Sequence, residues 1–294
     1  MLDDIGVAVT SSRWPEALAL ATEAWRSTRE PALAELVTVV GEVVADEVTQ
    51  RARKLRAPPR FDPAAHPDNP ARWHGFHEQL AVIDEAPLDP RTGLALASLV
   101  GRPPPWLDER AWRALCNGRL GERLVDHADR RALAVLAPAT TDPWRRGLVM
   151  RWIDGIERTA NAFPRVAEKK RILVWVEDAK AARKRQRAGL DELLAAVHAA
   201  PDDLGAREVY ADALLEHGDP RGEMMALSLE EGRGGALDDA DRRRLEYLIG
   251  EHETEWLGRD VVRHTRDRIW RNGMLEGATA LRDVTLPPTC RFRD

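Results

Sequence analysis

The sequence predicts a mainly α-helical protein with a helical N-terminal half, a smaller helical C-terminal module and a short terminal β-hairpin. Three observations lead to this prediction. Apolar residues recur at helical spacing, prolines and glycines separate the periodic stretches, and Asn272-Gly273 stands between two short apolar runs. Apolar residues make up 44% of the 294 residues, which is enough to build a core rather than a disordered chain.

The N-terminal half is predicted to contain a series of amphipathic helices joined by short turns. Prolines suit the first turns at Pro15 and Pro31, and five prolines within 57–71 indicate a surface loop. The series predicts a divergent HEAT-like helical array, with an irregular helical bundle as the alternative, over residues 1–188. The predicted helices are 15–28, 31–50, 73–86, 91–101, 107–117, 120–136, 143–159 and 165–188.

The second part, residues 189–294, is predicted to begin with a helix that carries Leu190, Leu193, Leu194 and Val197 on one face. Asp202 or Asp203 can cap a second helix, which should stop at Gly218. The predicted apolar stripe of this second helix consists of Val209, Tyr210, Ala213 and Leu214.

The segment Asp219-Pro220-Arg221-Gly222 is predicted to form a tight turn, because proline presets one dihedral angle and glycine permits the next. After a glycine-rich joint at 232–236, a helix is expected over 238–255. Asn272-Gly273 is a strong signal for a type I′ turn, so a small hairpin is predicted within 268–281.

The run VHAAPDDLGAREVYADALLEHGDPRGEMMAL resembles the repeat-companion domain, a module of large related protein sets in myxobacteria and planctomycetes. The resemblance covers about Leu190 to Glu231 and continues more weakly to Gly277. Relatives often continue into leucine-rich-like repeats, which are not expected after Leu286 here. The resemblance implies a bacterial accessory or interaction module and supplies no catalytic residues.

Charge and cysteine usage restrict the classes of function. The net charge of −5 argues against general nucleic-acid binding, which requires a basic surface. Cys116 and Cys290 stand far apart and outside any metal-ligand spacing, as in a reduced cytoplasm. Neither a signal peptide nor a run of about 18 apolar residues is present, so we expect a cytoplasmic protein without a membrane segment.

The most concentrated basic stretch is Arg183-Lys184-Arg185-Gln186-Arg187. Three interpretations are open: a strip that contacts phosphate groups, a site for arginine-specific proteases, and a solvated linker helix between the two parts. Its position between the two predicted parts favours the linker helix.

Candidate catalytic and metal sites are weak. His66, His74, His77 and Glu78 are close in sequence, but the two later histidines lack the i, i+4 spacing of a zinc-binding helix. The sequence shows neither a glycine-rich phosphate loop nor a serine or cysteine nucleophile in a known motif. We therefore predict a protein that is not an enzyme and has neither cofactor nor metal site.

The sequence-based hypothesis is a non-catalytic adaptor or regulatory protein that binds another protein. Two alternatives stay open: a protease-regulated factor of a signalling or defence operon that is cleaved in the basic linker, and a hydrolase with an unrecognised site. The predicted partner-binding residues are Tyr210, Asp212, Asp219, Arg221 and Glu223. The predicted cleavage residues are Arg183, Lys184, Arg185 and Arg187.

Overall fold

The chain folds mainly into α-helices and has a two-stranded antiparallel hairpin near its C-terminal end, which confirms the predicted fold class. It divides into two compact units, Met1–Arg183 and Lys184–Asp294. The structure, a computed structural model, describes residues 1–56, 86–101, 120–141 and 143–280. The helices predicted over 73–86 and 107–117 lie wholly or mostly outside these residues.

The first unit consists of packed helices with a short 3₁₀ turn at Ala137–Thr141. Its described helices are α1 Leu2–Thr10, α2 Trp14–Thr28, α3 Pro31–Val44, α4 Glu47–Arg56, α5 Pro90–Gly101, α6 Leu120–His127, α7 Arg131–Leu136, α8 Pro143–Asn161 and the first part of α9 Lys169–Ala199.

The first part of α9 packs against the first helices of the chain. Ile172 and Trp175 are buried in one apolar cluster with Ile5 and Trp25, and Arg171 Nη1 lies 2.6 Å from Asp3 Oδ1. In an open helical array each repeat contacts only its neighbours. Of the two predicted architectures, this return of the last helix to the first favours the irregular bundle.

Two predicted helices of this unit are broken in the structure. The helix predicted over 31–50 ends at Ala45 (φ 54°), and the one predicted over 120–136 is interrupted at Ala128 (φ 49°). A left-handed alanine costs about 1–2 kcal/mol, so each break needs compensation. At the first break Asp46 supplies it, because its Oδ1 accepts hydrogen bonds from Thr49 N at 3.1 Å and Arg91 Nη1 at 2.6 Å.

Arg91 is the centre of a buried polar network in the first unit. Its side chain is 4% exposed, and Asp89 accepts hydrogen bonds from its Nε at 2.9 Å and its Nη2 at 2.7 Å. Arg91 Nη1 also donates to Thr49 Oγ1 at 2.9 Å. A buried guanidinium needs such pairing, because an unpaired buried charge is strongly destabilising. The network therefore holds the starts of α4 and α5 together.

A second network forms at the other break. Asp129 lies just before α7, where it accepts a hydrogen bond from Arg131 N at 3.0 Å, and its carboxylate also binds the Arg131 guanidinium. The same guanidinium donates to Glu35 Oε2 at 3.2 Å and to Thr38 Oγ1 at 2.9 Å. The interruption at Ala128 thus places an arginine where it connects α7 to α3.

His127 is buried at the end of α6, where its Nδ1 lies 2.6 Å from Arg123 O. Burial lowers the pKa of His127, and the hydrogen bond with the Arg123 carbonyl and the charges of Asp89 and Asp129 only partly oppose this shift. The unfolded chain therefore binds this proton more readily than the folded chain. The contribution of His127 to the unfolding free energy is fully present above the unfolded pKa near 6.5 and is lost as the pH decreases below it.

We expect the unfolding free energy of the protein to decrease between pH 7.5 and pH 5, by at most about 1.4 kcal/mol per pH unit from this one proton. The measurement is urea unfolding across this pH range. The His127→Gln variant should show a smaller decrease than the unmodified protein. Equal pH slopes in the two proteins would contradict the assignment of this effect to His127.

The second unit contains the end of α9 and a group of shorter elements around a second core. The elements are α10 Leu204–Glu216, α11 Pro220–Gly232, α12 Asp239–Leu257, α13 Arg259–His264, β1 Thr265–Arg271 and β2 Met274–Ala280. The core includes Val197, Tyr210, Leu214, Met224, Leu229, Leu245, Leu248, Trp256 and Met274.

Helix α9 is continuous across the position where two helices were predicted. Neither a break near Gly189 nor a positive φ at this residue is present, and a Cβ at this position would meet nothing within 4 Å. Glycine inside a helix costs about 1 kcal/mol relative to alanine but does not end the helix by itself. The expected boundary at 188/189 lies inside α9, as does the division between the compact units.

Residues 219–222 start a helix instead of forming an isolated turn. Asp219 is the N-cap of α11, and Pro220 occupies its first turn. Asp-Pro is suited to both roles, because proline is favoured at the first helical position as well as in turns. Gly222 is a buried helical residue, and a Cβ there would lie 2.6 Å from Leu215 N and 2.8 Å from Ala211 O. This glycine allows α10 and α11 to pack at backbone distance.

The predicted hairpin is confirmed, with Asn272 (φ 49°) and Gly273 (φ 75°) as its two-residue turn. The register is irregular between Arg266 and Ile269, where Asp267 takes a φ of 48°. A bulge of this kind redirects side chains. Here Arg268 donates to Thr265 O at 2.7 Å and pairs with the largely buried Glu253 of α12.

Candidate functional site

Helix α10 carries the core of the sequence run that resembles the repeat-companion domain. Asp203 caps it, because its Oδ1 accepts hydrogen bonds from Gly205 N at 2.9 Å and Ala206 N at 3.2 Å. The chain leaves the helix through Gly218, whose φ is 63°. Both ends of α10 are therefore fixed by residues that the sequence identified.

The inner face of α10 holds the second unit together through Arg207. This side chain is 4% exposed and donates to Arg271 O at 3.1 Å, Asn272 O at 3.2 Å and Pro201 O at 2.7 Å. Glu276 lies 3.5 Å away as its ion-pair partner. One guanidinium thus connects the loop before α10 to the hairpin turn.

The hairpin turn also packs on α11. Gly273 N donates a hydrogen bond to Ser228 Oγ at 2.9 Å, and a Cβ on Gly273 would lie 2.3 Å from Met225 Cγ. Glycine is needed here both for its positive φ and for this close approach. The hairpin is therefore docked by α10 through Arg207 and by α11 through Ser228 and Met225.

The predicted site residue Tyr210 lies inside the core of this unit. It is 3% exposed, and burial raises the pKa of Tyr210, while the positive charge of Arg221 opposes this shift. The Arg221 guanidinium lies 5.8 Å from the ring centre of Trp256. Asp219 accepts a hydrogen bond from Arg221 N at 2.9 Å as the cap of α11. These three predicted residues thus contribute to the internal packing of the second unit.

Glu223 pairs with an arginine of α12. Its two carboxylate oxygens accept hydrogen bonds from Arg244 Nε at 2.8 Å and Nη2 at 2.7 Å. Hydrogen bonding from Arg244 lowers the pKa of Glu223. Both side chains are partly exposed, so this pair connects α11 and α12 at the surface.

Asp212 is the predicted site residue that faces solvent. No hydrogen bond or ion pair to its side chain occurs among the residues that the structure describes. Val209 and Glu216 lie on the same side of α10, because residues three, four and seven positions apart share one helix face. Val209 is 55% exposed and the adjacent Leu215 is 44% exposed. We call Val209, Asp212, Leu215 and Glu216 the outer face of α10.

The prediction that Val209 belongs to the buried stripe is wrong. The buried residues of α10 are Arg207, Tyr210, Ala211 and Leu214. The buried side therefore includes a cation, Arg207, and does not include Val209. Relative to the predicted stripe, the buried side of α10 is displaced by about one residue, and Val209 is exposed. Sequence reasoning missed Val209 and Leu215 as surface residues, because an apolar residue beside a stripe is ordinarily assigned to it.

The basic stretch is helical and exposed within α9. Arg183 pairs with Glu42 of α3 in the first unit, while Lys184, Arg185 and Arg187 point to solvent. A protease cleft binds extended chain, so this helix must open locally before it can be cut.

We expect trypsin to cleave the native protein at 183–187 at least about tenfold more slowly than a synthetic peptide of the same sequence, because of that opening step. Mass spectrometry of a digestion time course measures both rates. Cleavage of the native chain at the peptide rate would contradict the stability of this helix and favour the protease-regulated alternative.

The histidine cluster His66, His74, His77 and Glu78 lies outside the described residues. Within the described ranges, no three His, Cys, Asp or Glu side chains converge to hold a metal ion. Of the helices that the structure describes, none is both long enough and apolar enough to cross a lipid bilayer.

Comparisons of the chain with protein-family models, with curated proteins and with solved structures found no match. The resemblance to the repeat-companion domain therefore stays a prediction from the residues quoted above.

Proposed function

We propose that this protein is a non-catalytic adaptor or regulatory protein of the bacterial cytoplasm that binds a partner protein through the outer face of α10. The observation that carries the proposal is the division of α10 into two sides. Arg207, Tyr210 and Leu214 are buried, whereas Val209 and Leu215 are exposed beside carboxylates.

The chemistry of this face indicates the kind of partner. Two exposed apolar side chains on one helix can be buried by a partner, at about 25 cal/mol per Å² of apolar surface removed from water. Asp212 and Glu216 add negative charge to the same face. A complementary surface has an apolar centre and basic residues around it, because complementary charge increases the association rate and the specificity.

The other predicted site residues support this surface indirectly. Asp219 and Arg221 stabilise the start of α11, and Glu223 connects α11 to α12. Helix α10 is therefore held by its neighbours on one side, which gives a partner a preorganised surface. Preorganisation reduces the entropy lost on binding.

The test is affinity capture from the source cells with three tagged proteins at moderate salt. They are the unmodified chain, a Val209→Arg, Asp212→Arg variant and a matched Val174→Arg, Asp178→Arg control on an exposed part of α9. We expect a stoichiometric partner with the unmodified and control proteins and at least about tenfold less with the α10 variant, as for loss of an interface centre.

Circular dichroism should first show that all three proteins have the same helical content. Equal capture by the α10 variant would place the partner surface elsewhere on the chain. Absence of any stoichiometric partner for the unmodified protein would contradict the adaptor function itself.

A further inference from the structure

The hairpin turn Asn272-Gly273 has a chemical reactivity of its own, because Asn-Gly is prone to deamidation. In this reaction the backbone nitrogen of the following residue attacks the asparagine side chain. Glycine shields its nitrogen least, since it has no Cβ, and it also permits the widest range of backbone conformations. The other asparagine within the described ranges, Asn161, is followed by Ala162. The dipeptide that fixes the hairpin is therefore also a candidate modification site.

Deamidation is an intramolecular acyl transfer that needs only a base and water. The Gly273 N–H loses its proton to the base, and the nitrogen attacks Asn272 Cγ. A C–N bond forms, and the side-chain nitrogen takes up a proton and leaves as ammonia. The product is a five-membered succinimide ring. Water then opens the ring at one of its two carbonyl carbons, which gives either aspartate or isoaspartate at position 272.

The native contacts of the turn oppose the first step at both reacting groups. The Gly273 N–H donates a buried hydrogen bond of 2.9 Å to Ser228 Oγ, so a base does not reach this proton while the hairpin is docked. Asn272 Oδ1 is buried, and no described group donates a hydrogen bond to it. The negative charge that develops on this oxygen during the attack is therefore unstabilised, in contrast to an oxyanion in a catalytic site.

The packing around the turn holds the reacting atoms in place. A Cβ on Gly232, the last residue of α11, would collide with Asn272 Oδ1, and one on Gly273 would collide with Met225. Arg207 also donates to Asn272 O at 3.2 Å. Closure of the succinimide ring rotates the peptide between Asn272 and Gly273 and removes the N–H donor of Gly273. These contacts must therefore break before the ring can form.

We propose that Asn272 is a latent deamidation site, which reacts only when the hairpin turn detaches from α10 and α11 and which Ser228 protects. Isoaspartate inserts one carbon into the main chain, so the two-residue turn no longer fits against Arg207 and Ser228. A detachment that leads to reaction is thus irreversible, and reacted chains keep the hairpin undocked. The inference does not depend on the outer face of α10, because the turn docks on the inner side of this helix.

The test is incubation of the full chain at mildly alkaline pH, followed by mass spectrometry of its peptides. Folded protein is compared with protein in guanidinium chloride, where Asn117-Gly118 is an internal reference for the intrinsic rate. We expect Asn272 to react at least about tenfold more slowly in the folded protein, because the reaction requires local opening. Equal rates at Asn272 in the two conditions would overturn the proposal.

Two serine variants test the protection by Ser228. Ser228→Ala should increase the rate at Asn272 in the folded protein about fivefold, as for the loss of one hydrogen bond. The matched control is Ser98→Ala, which removes a hydroxyl that donates to Leu94 O within α5 and should leave the rate unchanged. An unchanged rate in a folded Ser228→Ala variant would overturn the role of Ser228. If this variant does not fold, the comparison in guanidinium chloride still decides whether the docked turn is protected.

Hydrogen exchange tests the consequence of the reaction. An Asn117→Gln protein retains Asn272-Gly273 as its Asn-Gly dipeptide, and anion-exchange chromatography separates its reacted chains through their additional carboxylate. We expect the amides of β1 and β2 to exchange faster in chains that carry isoaspartate than in unreacted chains of the same sample. Equal exchange in the two would overturn the irreversible release of the hairpin.

Discussion

Replacing Arg207 by alanine is expected to lower the unfolding free energy of the second unit by about 3 kcal/mol. The guanidinium is buried and donates to three carbonyl oxygens, those of Pro201 before α10 and of Arg271 and Asn272 in the hairpin. The substitution removes one hydrogen-bond donor from each of these carbonyls and leaves Glu276 without its closest described cation. Each unsatisfied buried group adds to the loss.

The measurement is urea unfolding of the full chain followed by hydrogen exchange of peptides from residues 190–280. Exchange in β1 and β2 should increase first, because Arg207 holds the hairpin turn. Arg243→Ala is the matched control, since Arg243 is an exposed arginine of α12, and it should change stability by less than about 0.5 kcal/mol. Similar losses in the two variants would contradict the role of Arg207.

Replacing Gly222 by alanine is expected to destabilise the second unit by about 2–3 kcal/mol, the cost of overpacking a tight helix contact. The added Cβ would lie 2.6 Å from Leu215 N and 2.8 Å from Ala211 O. Both atoms belong to the backbone of α10, which cannot move aside without breaking its hydrogen bonds. The two helices must therefore separate, and the caps around Asp219 shift with them.

Gly250→Ala provides a control of opposite sign. Gly250 lies inside α12, and a Cβ at this position would meet nothing within 4 Å. Alanine there should stabilise the helix by about 0.5–1 kcal/mol, because glycine has the lower helix propensity. Unfolding midpoints in urea compare the two variants. A stabilising effect of Gly222→Ala would show that α10 and α11 are not packed at backbone distance.

The sequence predicted those parts of the fold that depend on neighbouring residues. The cap at Asp203, the positive φ at Gly218 and the turn at Asn272-Gly273 all follow from local chemistry. The resulting fold class was correct for the same reason, since hydrophobic periodicity and turn residues act within a few positions along the chain.

The breaks at Ala45 and Ala128 could not be predicted, because alanine ordinarily continues a helix. They are stabilised by Arg91 and Arg131, which bind the carboxylates of Asp46 and Glu35. The Arg91–Asp46 pair spans 45 residues of sequence. A local pattern contains no information about which distant carboxylate an arginine will reach, so these networks required the structure.

The sequence predicted only part of the candidate site, because the rest depends on contacts between residues that are distant in sequence. The sequence indicated α10 and the start of α11 as the informative segment, and the structure places Asp212 on the exposed side. Tyr210 is buried, and Arg207 lies beside it on the inner face. Arg207 lies there because it donates to carbonyls of the hairpin that are more than 60 positions later in the chain. Because these long-range contacts place Arg207 on the buried side of α10, Val209 lies on the exposed side.

The outer face of α10 is tested most directly by site-specific photo-crosslinking in the source cells. A photoreactive amino acid replaces Val209 in one protein and Val174 of α9 in a second, both of them highly exposed positions. We predict that the protein labelled at position 209 forms one discrete adduct with a partner protein and that the protein labelled at position 174 forms none. Absence of an adduct from position 209, or the same adduct from both positions, would contradict a partner-binding surface on α10.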